Sequence, residues 1–155
     1  MIWFPVTREM FEDAKRTMLD RVLYNSLTNG EGNLAGRVGE LMYLKIFGGT
    51  PDVTNRKYDI TATSGYTVDI KTARCDSVPQ YHFNANVFAT SDHQTSDALY
   101  FMRVTNDYTK CYPLGLICRP DYYREAPQHK KGDFDGPNFK YKADGRHIQI
   151  GKLKL

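Results

Sequence analysis

A mixed α/β or α+β layer fold around one sheet is the fold class this chain predicts. Apolar residues recur at helical spacing through the first 47 positions, two-residue alternation takes over from residue 57, and residues 98 to 104 form a continuously apolar run suited to a central strand. Helices first and strands afterwards, with no repeat and no linker between them, make one domain of all 155 residues.

Each element has its own signal. Thr7 can cap a first helix, because Met10, Phe11, Ala14, Met18, Val22 and Leu23 follow at three- and four-residue steps until Asn29-Gly30 stops them. A loop through Gly30-Glu31-Gly32-Asn33 leads to a second helix over residues 34 to 47. Its apolar stripe is Leu34, Val38, Leu41, Met42 and Ile46, and Gly48-Gly49 ends it. Tyr58, Ile60 and Ala62 alternate with Lys57, Asp59 and Thr61, and Val68 and Ile70 alternate with Thr67, Asp69 and Lys71, which is the pattern of a hairpin turning at Thr63-Ser64-Gly65. Further strands are expected at 81–88, 98–104, 114–118 and 146–150, a short helix near Pro120, and a polar, turn-rich loop over 128–137.

Composition narrows the function classes. Hydrophobic residues at 41% and charged residues at 25% are globular values, so disorder is excluded as the general state. No apolar run reaches the roughly 20 residues that span a bilayer, and Met1-Ile2-Trp3-Phe4-Pro5 is not a secretory signal, so a cytoplasmic protein is expected, in the host cytoplasm if phage-encoded. Cys75, Cys111 and Cys118 lie far apart without a CxxC pair and are expected to be reduced thiols. Residues 1 to 102 carry ten basic and twelve acidic side chains, whereas residues 103 to 155 carry eleven and six. A basic segment joined to an acidic cluster suits a protein that neutralises phosphates and also holds cations.

The hairpin carries the chemistry. Alternation places Asp69 and Lys71 on one face of their strand and Val68 and Ile70 on the other. If Thr63-Ser64-Gly65 is a three-residue loop with Gly65 in the left-handed conformation, Ala62 pairs with Tyr66 and Asp59 falls opposite Asp69; a two-residue loop would oppose Asp59 to Ile70 instead. Two carboxylates facing each other repel and call for compensation, either by a hard divalent cation or by Lys71. Glu40 lies about 150° round its helix from the apolar stripe, with Gly36, Tyr43 and Phe47. Gly36 and Gly39 each weaken the helix by about 1 kcal/mol, which implies close approach of backbone or ligand.

These residues resemble the PD-(D/E)XK nuclease superfamily: Gly39-Glu40 on a helix, then Tyr58-Asp59-Ile60, then Val68-Asp69-Ile70-Lys71 after a short hairpin. The likeness covers about residues 34 to 73, with Ala98-Leu99-Tyr100-Phe101 similar to a later core strand, and Tyr58 stands where the name motif has proline. The resemblance implies a restriction-endonuclease-like core, a central mixed sheet flanked by helices. It further implies hydrolysis of DNA phosphodiesters by water, with Mg²⁺, replaceable by Mn²⁺, held by Asp59, Asp69, the Ile70 carbonyl and Glu40. Lys71 would orient or deprotonate the water and offset charge growing on phosphorus oxygens. Cutting both strands or a four-way junction needs two sites, so a homodimer is expected, and the compact chain leans towards a phage-type nuclease or junction resolvase. A catalytically silent nucleic-acid-binding module of the same fold, and a non-nuclease α/β interaction protein, are the alternatives.

Weaker signals surround this set. Arg74 and Gln80 follow the Asp69-Lys71 strand closely enough to meet a phosphate, and His82, Asn84 and Asn86 alternate beyond them, to read base edges or to face solvent. Lys130, Lys131, Lys140, Lys142, Arg146, Lys152 and Lys154, interleaved with Phe134, Phe139 and Tyr141, suit contact with a nucleic-acid backbone. His82, His93, His129 and His147 show no close metal-ligand spacing and read as ordinary histidines, while Gly30-Glu31-Gly32-Asn33-Leu34-Ala35-Gly36 misses the dinucleotide-binding fingerprint and follows no strand.

Overall fold

The computed structural model describes residues 1–19, 31–52, 57–88, 95–135 and 139–154. Two helices open the chain. Helix α1 (Arg8–Leu19) begins where the Thr7 hydroxyl accepts a hydrogen bond from Met10 N–H at 3.2 Å, the expected cap. Val22, Leu23 and Asn29-Gly30, expected to finish this helix, lie outside the described residues. Helix α2 (Glu31–Phe47) starts three residues earlier than its apolar pattern suggests, inside the expected loop. It stops at Gly48 and Gly49, whose φ values of 73° and 112° are left-handed.

A six-stranded sheet follows, in the order β1 (Phe4–Pro5), β7 (Lys110–Cys118), β6 (Ala98–Thr105), β4 (Thr67–Cys75), β3 (Ile60–Thr61), β2 (Thr50–Pro51). The β4–β6 pair is parallel and the other pairs are antiparallel, so the sheet is mixed, with the apolar β6 in its interior as its sequence requires. Both faces of β6 are covered. Tyr100 and Met102 join Val68, Ile70, Met42 and Tyr43 beneath α2. Leu99 and Phe101 instead join Tyr122 of α3 (Arg119–Glu125) and Ala85, Val87 and Ile148 of a second, smaller sheet.

That second sheet corrects the expectation of a single one. It consists of β5 (Asn84–Phe88), β11 (Gly145–Gln149) and β8 (Gln128–His129), all antiparallel. The segment expected as a loop over 128–137 contains β8 and β9 (Phe134–Asp135), and β9 pairs with β10 (Phe139–Lys140). Strands this short carry too few residues to show alternation, so turn composition dominated the reading. The strand expected over 81–88 begins only at Asn84, and the one expected over 114–118 already begins at Lys110. Pro113 sits beside a register shift opposite Phe101 and Met102, which lets proline enter a paired strand. Cys75, Cys111 and Cys118 are free thiols, as expected. Among the described residues, no helix is long and apolar enough to cross a membrane.

Helix α2 crosses the sheet at Gly39. A Cβ there would run into the Thr72 side chain of β4, whereas one at Gly36 meets nothing within 4 Å. Of the two glycines expected to mark close approach, only Gly39 does so. Ordinarily Gly→Ala inside a helix stabilises by about 1 kcal/mol. Here Gly39→Ala is expected instead to destabilise the protein by roughly 1–3 kcal/mol through overpacking, whereas Gly36→Ala follows the helix-propensity rule; urea denaturation of both variants measures the contrast.

Candidate functional site

The site is built just before β3 begins. Gly65 N–H donates to the Ala62 carbonyl and Ala62 N–H to the Tyr66 carbonyl, both at 2.8 Å, and Gly65 has a φ of 89°. The hairpin therefore turns through Thr63-Ser64-Gly65, the three-residue alternative, and its ladder sets Ile60 against Val68. One residue further the ladder slips, because Asp59 N–H donates to the Val68 carbonyl at 3.0 Å. The Asp59 carboxylate then takes over from the strand: its Oδ2 accepts the Ile70 N–H at 2.7 Å. This bond holds Asp59 in the plane of the sheet, at the edge of β4 that β3 leaves uncovered.

Asp69 and Lys71 occupy one face of β4, as alternation requires. Their parallel partners are Leu99 and Phe101, so both point away from α2. Asp69 is fully buried, and Lys71 Nζ stands 2.7 Å from its Oδ2. Glu40 comes from the opposite side, on α2, one residue after the Gly39 crossing. Its Oε2 accepts from Arg37 Nη1 at 2.6 Å, and Arg37 Nε donates to Thr17 Oγ1 of α1 at 2.9 Å. Phe47 and Tyr43, which share the Glu40 side of the helix, pack with Tyr100, so this second helix face is occupied by protein.

Asp59 registers the crowding. Burial, then the Asp69 carboxylate, then Glu40 raise its pKa well above the ordinary carboxylate range, and the Ile70 N–H bond offsets only part of this. Lys71, 2.7 Å from Asp69 Oδ2, supplies positive charge on the Asp69 side of this pair. The structure thus brings Glu40, Asp59, Asp69 and Lys71 into one neighbourhood. Among the described residues, no three Asp, Glu, His or Cys side chains already stand at metal-holding spacing. Arg37 escaped the sequence reading, although its position three residues before Glu40 is a readable ion-pair signal.

The basic residues divide. Lys130, Lys131, Lys140 and Lys142 are exposed around the β9–β10 hairpin, where Gly132 N–H donates to the Tyr141 carbonyl at 2.8 Å and Lys140 lies over the exposed Phe134 ring. Asp144 draws on two of them, through Lys130 Nζ at 3.3 Å and Lys131 N–H at 2.7 Å. Arg74 is exposed on β4, and exposed Gln80 donates to the Val78 carbonyl of its own loop. Arg146 is not part of a free basic face, because Nη1 donates to the Tyr123 and Ala126 carbonyls.

Two of the histidines, which no metal-ligand spacing joins in sequence, meet in space. His129 Nδ1 and His147 Nδ1 stand 3.3 Å apart, and Tyr141 stacks on His129 with ring centroids 3.5 Å apart. The Tyr141 hydroxyl reaches His147 Nδ1 at 3.0 Å and Asp135 Oδ2 at 3.1 Å, and Asn84 Nδ2 donates to the same Asp135 oxygen at 2.6 Å. Eighteen positions separate the two histidines, so no short spacing betrayed them. Tyr141 is buried in this network rather than offered for stacking, Asn84 is spent on it rather than turned to a base edge or to solvent, and His82 lies before the strand rather than in it. His93 lies outside the described residues.

No family model matches the chain, and no curated protein is similar to it in sequence.

Two pH dependences follow. Because the folded-state pKa of Asp59 is raised, the folded protein binds a proton that the unfolded chain releases near pH 3.8, and stability falls as pH rises through that window. Asp59→Asn is expected to raise the melting temperature at pH 7 by roughly 2–8 °C in chelator, with the gain vanishing towards pH 4; an unchanged melting temperature at pH 7 counts against the crowded pair. His129 runs the other way: burial first, then His147, lower its pKa, so the unfolded chain protonates first. Its contribution is complete above about pH 6.5 and is lost as pH falls below that value, and His129→Gln is expected to flatten this arm of the stability profile.

Proposed function

We propose that the protein is a Mg²⁺-dependent DNA endonuclease that hydrolyses phosphodiester bonds with water, on a PD-(D/E)XK-type site. The observation that carries this reading is the adjacency of Asp59 and Asp69: Asp59 Oδ2 accepts from Ile70 N–H at 2.7 Å, one residue along β4 from the fully buried Asp69, which stands 2.7 Å from Lys71. Crowding buried carboxylates costs stability unless a cation is to be held there, and perturbed titratable groups of this kind mark functional sites.

The donor set fits the ion. Hard oxygen ligands from Asp59, Asp69 and the Ile70 carbonyl, with Glu40 acting directly or through water, suit Mg²⁺, which keeps several waters and binds few carboxylates. When bound, the metal supplies Lewis acidity at the phosphate and lowers the pKa of the attacking water. The protein's own residues do the rest. Asp59 is fixed by Ile70 N–H, and Lys71 stands beside Asp69, where its ammonium orients the water and offsets charge on the phosphorus oxygens while the water's proton leaves to solvent. Water oxygen bonds to phosphorus as the bond to the leaving sugar oxygen breaks, without an enzyme-bound intermediate. The exposed lysines of the β9–β10 region, with Arg74 and Gln80, are proposed to contact the DNA backbone. Cleavage of both strands calls for a twofold homodimer.

The test is incubation of purified protein with supercoiled, linear, single-stranded and four-way-junction DNA, in Mg²⁺, Mn²⁺ or chelator. Asp69→Ala and Lys71→Ala are each expected to lower cleavage by more than about 100-fold while the circular-dichroism spectrum and melting transition persist. Cleavage by folded Asp69→Ala at the wild-type rate overturns the reading. DNA binding without cleavage by the wild type points to a silent binding module. Absence of saturable, Asp69-dependent Mn²⁺ binding points to a non-nuclease interaction protein.

A further inference from the structure

We infer that Arg37 is a phosphate-binding cation of this site, held by Glu40 until divalent metal arrives. The inference rests on the nuclease reading and adds a substrate contact that the motif residues do not include.

Glu40, Asp59 and Asp69 share a neighbourhood, and two cations answer them: Lys71 at 2.7 Å from Asp69 and Arg37 at 2.6 Å from Glu40. Both side chains of the Arg37–Glu40 pair are only 16% exposed, so the pair is largely withdrawn from water and is not the ordinary solvated contact of a helix surface. Arg37 is also anchored, because Nε donates to Thr17 Oγ1 of α1 at 2.9 Å while Nη1 meets Glu40. A guanidinium tied at Nε still presents its Nη donors in a fixed plane, the arrangement that takes two phosphate oxygens at once.

Metal changes the balance. A divalent ion held by Asp59 and Asp69, with Glu40 directly or through water, would add two positive charges to the carboxylates. Glu40 would then no longer require the whole of Arg37, and the guanidinium, three residues away on the same helix, would be surplus. A phosphodiester brings the negative charge that restores neutrality. Arg37 is thus paired with protein before substrate binds and with phosphate afterwards.

The experiment measures the salt dependence of DNA affinity by fluorescence anisotropy of a labelled duplex, with Ca²⁺ in place of Mg²⁺ to limit turnover, alongside Mn²⁺ titration. Loss of one phosphate contact reduces the slope of log K against log salt by about 0.9. Arg37→Gln is expected to show that reduction while keeping saturable Mn²⁺ binding, and Arg37→Lys to retain the wild-type slope because the charge remains. An unchanged slope for Arg37→Gln, or an equally reduced slope for Arg37→Lys, overturns the inference while leaving the nuclease reading intact. If Arg37→Gln does not fold, Glu40→Gln supplies the second measurement. It frees the guanidinium and is expected to bind duplex several-fold more tightly than wild type in chelator; equal or weaker binding overturns the inference. A wild type that binds no DNA in any ion removes the nuclease reading and this inference together.

Discussion

The hydrogen bond from Ile70 N–H to Asp59 Oδ2 is the constraint on which the candidate site depends. Strand β3 pairs with β4 at only two positions, so the next donor along the β4 edge lacks a strand partner, and the Asp59 side chain replaces the missing backbone carbonyl. A charge-assisted bond of this kind fixes both the position and the plane of the carboxylate. It sets Asp59 at the rim of the sheet, where a residue on either face can reach it. Without it, Asp69 on one face and Glu40 on α2 would stand on opposite sides of β4 with nothing between them.

Rigid neighbours keep that rim in place. Strand β4 runs parallel to the buried β6 over eight register positions, from Val68 with Ala98 to Cys75 with Thr105. Asp97 secures the start of the pair, since its Oδ2 accepts from Thr67 N–H at 2.8 Å and from Thr67 Oγ1 at 2.7 Å. On the other side, the close crossing at Gly39 brings α2 within reach of Thr72, and so brings Glu40 near the same edge. The scaffold forces like charges together and stability suffers for it, which is the usual relation between a preorganised site and the fold that carries it.

The second sheet serves a different end. Asn84, Asp135, Tyr141, His129 and His147 form one polar network joining β5, β8, β9 and β11, so the lysine-bearing hairpin is fastened to the domain by hydrogen bonds as well as by apolar packing. Arg103 adds to this junction, donating from Nη2 to the Asn84 carbonyl at 2.6 Å. A basic surface mounted in this way keeps its charges in a set arrangement instead of on a free loop.

Alternation by itself determined that Asp69 and Lys71 share a face and that Val68 and Ile70 oppose them, because a strand's side-chain period allows nothing else. Helical spacing likewise determined α2, and the apolar run from Ala98 to Met102 determined the interior strand β6. The hairpin loop was legible as a choice between two geometries, and Gly65 in the left-handed region decided it. Other features required the tertiary structure for a common reason: they join residues far apart in the chain. No local period encodes the reach of Arg37 to Thr17, the pairing of His129 with His147, or the second sheet built from strands of two to five residues. The same holds for Asp59. Simple hairpin register sets it opposite Asp69, but the ladder slips there, with Asp59 N–H donating to the Val68 carbonyl, and its carboxylate is captured by Ile70 N–H instead.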